Sequence, residues 1–147
     1  QENSAAKNIG SSDYNKGWIR TAYGKETLEK ISNRTIICSG GSIGDQVAIE
    51  AYLRAMVKQW DDRKCKMKGC DQGYHNYLYY SGLLENTVGV GNVILHKQGE
   101  GVFNNLAALR NAPLRKQGVL QEGTDLVLNW DGSVSPVPHQ FDRDQEL

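Results

Sequence analysis

Arg34-Thr35-Ile36-Ile37-Cys38 runs directly into Ser39-Gly40-Gly41-Ser42-Ile43-Gly44, and the reading of this junction decides the fold class. The first five residues are rich in β-branched side chains, which fit a buried strand. After the Gly/Ser turn, residues 45–61 carry Ala48, Ala51, Tyr52, Ala55, Met56 and Trp60 at three- and four-residue steps. That spacing predicts a long helix with one apolar face. Asp45 stands at its start, where a carboxylate complements the helix dipole. Strand, glycine loop and helix together predict an α/β layer structure. Such a junction can cradle a phosphate. However, Gly40-x-x-x-Gly44 matches neither the dinucleotide fingerprint nor a P-loop, so a tight turn is the favoured reading.

Toward the N-terminus, residues 1–17 are rich in Ser, Asn, Gly and Lys without apolar periodicity, and read as a flexible segment. Trp18, Ile19, Ala22 and Tyr23 predict a short helix ended by Gly24, and residues 25–31 a second one. Toward the C-terminus, residues 61–69 are charged and read as a solvated loop. Residues 71–84 predict another helix, with Asp71 as its N-cap. Gln72, His75 and Asn76 fall in its first turn, Gln72 and Asn76 on one face. The plain reading is a capped helix with a polar first turn; the alternative is a site, because Cys70, Asp71, Gln72, His75 and Asn76 gather a thiol, an acid, two amides and an imidazole. Further strands are predicted at 88–96 and 125–130, with helical spacing at 103–109. Asp131-Gly132 signals a hairpin turn, and 133–139 is the returning partner, kept at a sheet edge by Pro136 and Pro138. The sum is a mixed sheet of about four strands covered by two long helices.

The chain has 147 residues, with 17 Lys plus Arg against 17 Asp plus Glu. A formal charge of zero argues against a general nucleic-acid binder, although Arg63, Lys64, Lys66 and Lys68 form a local basic run. No apolar run is long enough to span a bilayer. The opening Gln1-Glu2-Asn3-Ser4 has no signal-peptide character. Three cysteines, Cys38, Cys65 and Cys70, permit one disulfide, expected between Cys38 and one of the other two. A zinc site from Cys65, Cys70 and His75 is set aside for want of a fourth ligand. Asn33-Arg34-Thr35 is an N-glycosylation sequon, meaningful in a secretory compartment.

Three pieces in order carry a resemblance: Cys38-Ser39-Gly40 before a long helix, Asp71-Gln72-Gly73-Tyr74-His75-Asn76 opening another, and Val137-Pro138-His139-Gln140-Phe141-Asp142 closing a hairpin. Together they resemble the C-terminal half of a GT-A-fold, nucleotide-sugar-dependent glycosyltransferase of the glycogenin-like and related retaining families. The resemblance implies a partial GT-A-like, Rossmann-like mixed sheet over residues 18–147. It implies Asp71 and Gln72 as catalytic residues. Ser39, Gly40, Gly73, His75 and Asn76 would bind substrate, and His139 would be a metal ligand. It further implies Mn²⁺ or another divalent cation, a nucleotide-sugar donor, a glycan or protein acceptor, and the Golgi lumen or extracellular space as location. Neither nucleic acid nor a membrane span belongs to it. Cys38 stands where that family usually has Asn, and its Asp-x-Asp metal motif does not precede the segment. The expectation is therefore a piece of a longer enzyme, inactive as this segment alone. The alternative is a non-catalytic glycan-binding or structural extracellular module on a shortened scaffold. There Trp18, Trp60, Trp130, Tyr74, Tyr77, Tyr79 and Tyr80 would be free to stack on sugars.

Overall fold

The computed structural model describes residues 7–63, 65–109 and 112–141. Among the described residues, those up to Ile94 form one compact unit, and those from Leu95 onward form another. Asp142, the last residue of the element 137–142, lies outside the described residues, as does Lys64 of the basic run.

The first unit is built from three helices, α1 (Asp13–Ile31), α2 (Gln46–Arg63) and α3 (Cys70–Tyr80). The segment before Trp18, read from the sequence as flexible, is folded from residue 7. Ile9 is fully buried, Asn8 bridges Thr35, and α1 starts at Asp13 behind the Ser12 cap. The buried isoleucine and the backbone hydrogen bonds of Ile9 and Gly10 to Arg34 O and Ser32 O hold a polar segment that has no period of its own. The two short helices expected on either side of Gly24 are both present, joined at a kink where Gly24 takes φ 86°. A side chain would be strained there.

Packing α1 and α2 on α3 makes two apolar clusters. In one, Ile9, Ile19, Ile31 and Ile36 are covered by Tyr23, Leu28, Tyr77 and Tyr80. In the other, Cys65, Cys70 and Tyr74 are covered by Trp18, Ala22, Tyr23 and Met56. Residues Ala48, Ala51, Tyr52, Ala55 and Met56 of α2 are half-buried, as the periodicity predicts. Trp60 remains mostly exposed, its ring edge-on to Tyr74. Gln59 is the buried residue of α2, accepting a 2.9 Å hydrogen bond from the Tyr23 hydroxyl.

The second unit holds a two-stranded parallel sheet, β1 (Phe103–Asn105) and β2 (Val137–His139). Phe103 pairs with Val137, Asn104 with Pro138 and Asn105 with His139. Its apolar centre is Leu106, Leu114 and Val127, flanked by Leu109, Val119 and Leu120. The Asp131-Gly132 turn forms as predicted. Asn129 N–H donates to Ser133 O at 2.8 Å, and Leu128 bridges Val134 antiparallel.

Two expected strands are not ladders. Residues 88–90 are a turn and 91–96 have no regular structure, with Val88 94 % exposed and Ile94 72 % exposed. Gly89 and Gly91 take φ of 94° and 64°, so the alternating pattern never reaches a pleat. Residues 125–130 make only isolated bridges. The helix expected at 103–109 is instead β1 followed by a 3-10 turn, Leu106–Leu109. The architecture is thus mixed helix with a small parallel sheet. That is compatible with α/β, and sparser than the four-stranded layer expected.

Candidate functional site

Residues 35–39 are extended, and Ile36 and Ile37 are buried, as a strand reading requires. On one side this segment bridges residues 7–9, Ile36 N–H donating to Lys7 O at 3.5 Å; on the other its partner is helix α3 rather than a further strand. Asn76, with no exposed surface, accepts from Ile37 N–H through Oδ1 at 2.9 Å and donates through Nδ2 to Ile37 O at 2.9 Å. The same Nδ2 also donates to Gln72 O at 2.8 Å. One turn earlier, Gln72 donates through Nε2 to Ile37 O and accepts from Ser39 N–H through Oε1 at 2.9 Å. The Tyr80 hydroxyl donates to Thr35 O at 2.6 Å. A primary amide carries a donor and an acceptor side by side, like a peptide group. Gln72 and Asn76, four apart on one helix face, therefore do for this segment what a neighbouring strand would do.

That clamp delivers the Cys38-Ser39-Gly40 loop to the N-terminal end of α3. The Ser39 hydroxyl lies 3.3 Å from Asp71 Oδ2 and 3.1 Å from Gln72 Oε1. Asp71 is exposed and stands in the first turn, where the helix dipole favours a carboxylate. It is not the N-cap: α3 starts at Cys70, which is disulfide-bonded to Cys65, and the cap position belongs to Gly69, in the left-handed conformation. The disulfide also corrects the expectation of a bond to Cys38. Cys38 is free and half-buried, and its sulfur accepts from Gly40 N–H at 3.4 Å.

Gly73 is buried against α1. A Cβ added there would stand 2.9 Å from Trp18 Cβ, so the helices approach over a bare backbone. Trp18 is anchored in turn by donating through Nε1 to Lys68 O at 2.8 Å. His75 is buried and shares a 2.9 Å hydrogen bond between its Nδ1 and the Tyr52 hydroxyl, in the direction set by the imidazole tautomer. Burial lowers His75 from 6.5 to about 4, with the Asp71 charge opposing. Burial likewise raises the Tyr52 phenol, while Ser42 beside it pulls the other way and the Asp71 charge adds to the rise. Both groups are therefore neutral at pH 7.

Of the residues singled out from the sequence, Ser39, Asp71, Gln72 and Asn76 come together, Gly40 continues the same loop, and His75 lies on the same helix. Gly73 faces α1. His139 belongs to the other unit, half-buried at the end of β2. Sequence reasoning missed Tyr52 as the partner of His75 and Tyr80 as the anchor of Thr35. Both fall at helical spacing and read as ordinary core aromatics. No known protein family, curated protein or solved structure matches this chain.

An imidazole is a common ligand of first-row divalent ions, and His139 at a partly exposed strand end suits one coordination position. Among the described residues no group of three or more His, Cys, Asp or Glu side chains that could hold a metal ion is found.

Proposed function

We propose that the chain is part of a nucleotide-sugar-dependent glycosyltransferase that transfers a hexose to a glycan or protein acceptor. The observation that carries this reading is the contact of Ser39 with Asp71 and Gln72. The sequence elements likened to the sugar pocket of such enzymes are 33 residues apart at Ser39 and Gln72, yet hydrogen-bonded. In this reading the exposed Asp71 carboxylate faces the sugar and stabilises oxocarbenium character at the anomeric carbon. Both polar atoms of the Gln72 side chain are engaged by the 37–39 backbone, so Gln72 acts as a positioning residue. Asn76 holds the same segment from below, and Ser39 and Gly40 present hydroxyl and backbone to the substrate. His139 would help hold Mn²⁺ or a similar cation, which when bound neutralises charge on the departing diphosphate.

The test is hexose transfer by the protein in its native length, using UDP-glucose and UDP-galactose with Mn²⁺ and a panel of oligosaccharide acceptors. Asp71→Asn is expected to lower turnover by about 100-fold or more with little change in thermal stability. Wild-type turnover in that variant removes Asp71 from the chemistry. Oligosaccharide binding without nucleotide or transfer replaces the enzyme with a glycan-binding module.

A further inference from the structure

Asn33 closes a turn between α1 and the extended segment. Arg34 N–H donates to Ile31 O at 3.0 Å, which makes Ile31–Arg34 a hydrogen-bonded turn with Ser32 at φ −58° and ψ −35°. Asn33 occupies the third position of that turn and is exposed, with Arg34 beside it also exposed. The backbone around it is held from both sides: Ile9 N–H donates to Arg34 O at 2.9 Å and Gly10 N–H to Ser32 O at 2.8 Å. Thr35 completes Asn33-Arg34-Thr35, the only such tripeptide in the sequence. Its carbonyl is engaged by Tyr80 through backbone alone, so its hydroxyl is not needed for that anchor. A second, independent feature concerns the compartment. Disulfides such as Cys65–Cys70 persist in oxidising compartments, the secretory lumen among them, and the enzyme that reads this tripeptide works in that lumen.

We propose that Asn33 is an N-glycosylation site, modified by an oligosaccharide carried on a lipid diphosphate. The Asn33 amide nitrogen attacks the anomeric carbon of the donor. A C–N bond forms as the C–O bond to the diphosphate breaks, the amide loses one proton to base, and the lipid diphosphate leaves. The exposed turn accommodates the glycan without unfolding: Asn33 is exposed, and both flanking backbone bonds are made by other residues. This inference stands apart from the glycosyltransferase reading, since a glycan-binding or structural module would carry the same glycan.

The experiment is peptide mapping of the protein from its natural source after peptide:N-glycosidase treatment in heavy-oxygen water. Asn33 is expected as heavy-labelled Asp. In eukaryotic cells secreting the chain, Asn33→Gln and Thr35→Ala are expected to abolish the glycosidase-sensitive mass shift. Thr35→Ser is expected to keep it, which separates loss of the acceptor sequence from loss of folding. An unmodified Asn33 in the native protein overturns the proposal, as does a mass shift that survives Asn33→Gln.

Discussion

In the unit ending at Ile94, isoleucines from α1 and the 35–39 segment meet aromatic rings from α1 and α3, and two amide side chains tie in the extended segment with every polar atom engaged. In the unit beginning at Leu95, the apolar centre is three residues deep, and Gln98, Asn104, Asn105 and Asn129 are buried around it. Amide side chains are used in both units. In the first they complete a helical core that already exists. In the second they stand in for much of the core, bridging turns that have little regular structure between them. Neither unit satisfies every buried polar atom among the described residues: Asn15 Oδ1 and the Tyr74 hydroxyl in the first, and Gln98 Oε1 and Asn129 Oδ1 in the second, find no hydrogen-bond partner, but only in the second do such amides surround so small an apolar centre.

The largest effect expected from this contrast is at Asn76. Asn76→Ala removes three hydrogen bonds and leaves Ile37 N–H buried without its partner. The cost is about 3–4 kcal/mol, from one orphaned donor together with the lost bonds and a cavity. Urea unfolding followed by Trp fluorescence, with hydrogen exchange at the Ile37 and Ser39 amides, checks it. A loss below about 1 kcal/mol would mean that Gln72 and packing hold the segment unaided, and the distinction between the units would weaken.

How much of this was legible in the sequence follows the same division. The three helices were visible because a buried helical face imposes a period, and the kink at Gly24 was visible because glycine ends such a period. Ile36 and Ile37 announced a buried extended segment. Nothing in them announced that the partner would be a helix, because Gln72 and Asn76 read equally well as a polar first turn. The Asp131-Gly132 turn was visible through local chemistry. The parallel pairing of β1 with β2 was not, since Asn104 and Asn105 carry no strand signature and their register is set by residues more than 30 positions away. At the site, the meeting of Ser39 with Asp71 was suggested only by resemblance. The Tyr52–His75 pair was hidden because Tyr52 keeps the helical period of an ordinary core residue.

The second effect separates the units by pH. His75 in the folded state titrates near 4, below its ordinary 6.5, so protons bind the unfolded chain more tightly. The stability this confers is fully present above about pH 6.5 and is lost as pH falls from there toward 4. The shift corresponds to roughly 3 kcal/mol at most. His75→Gln is expected to flatten the stability profile over that window while lowering the plateau at neutral pH, because Tyr52 loses its imidazole partner. The reading is urea midpoint against pH for both proteins. An unchanged slope in the variant would move the acid sensitivity to other groups.

The smallest effect is expected at Asn129, and it probes the second unit directly. Its Nδ2 donates to Gly101 O at 3.0 Å and to Ser133 Oγ at 3.2 Å, joining the Asp131-Gly132 turn to the turn before β1. Asn129→Ala removes both bonds, but it also removes the buried Oδ1 that has no partner among the described residues. The second change offsets part of the first, since an unpaired acceptor already costs stability in the native protein. The net loss should be about 1 kcal/mol, well under that of Asn76→Ala, in which every side-chain polar atom removed was satisfied. Hydrogen exchange at the Ser133 and Ser135 amides reads the second unit by itself, since these donate to Asp131 Oδ1 and Val127 O within it. If Asn129→Ala cost as much as Asn76→Ala, the orphaned acceptor would be paired in solution, and the two units would use their buried amides equally well.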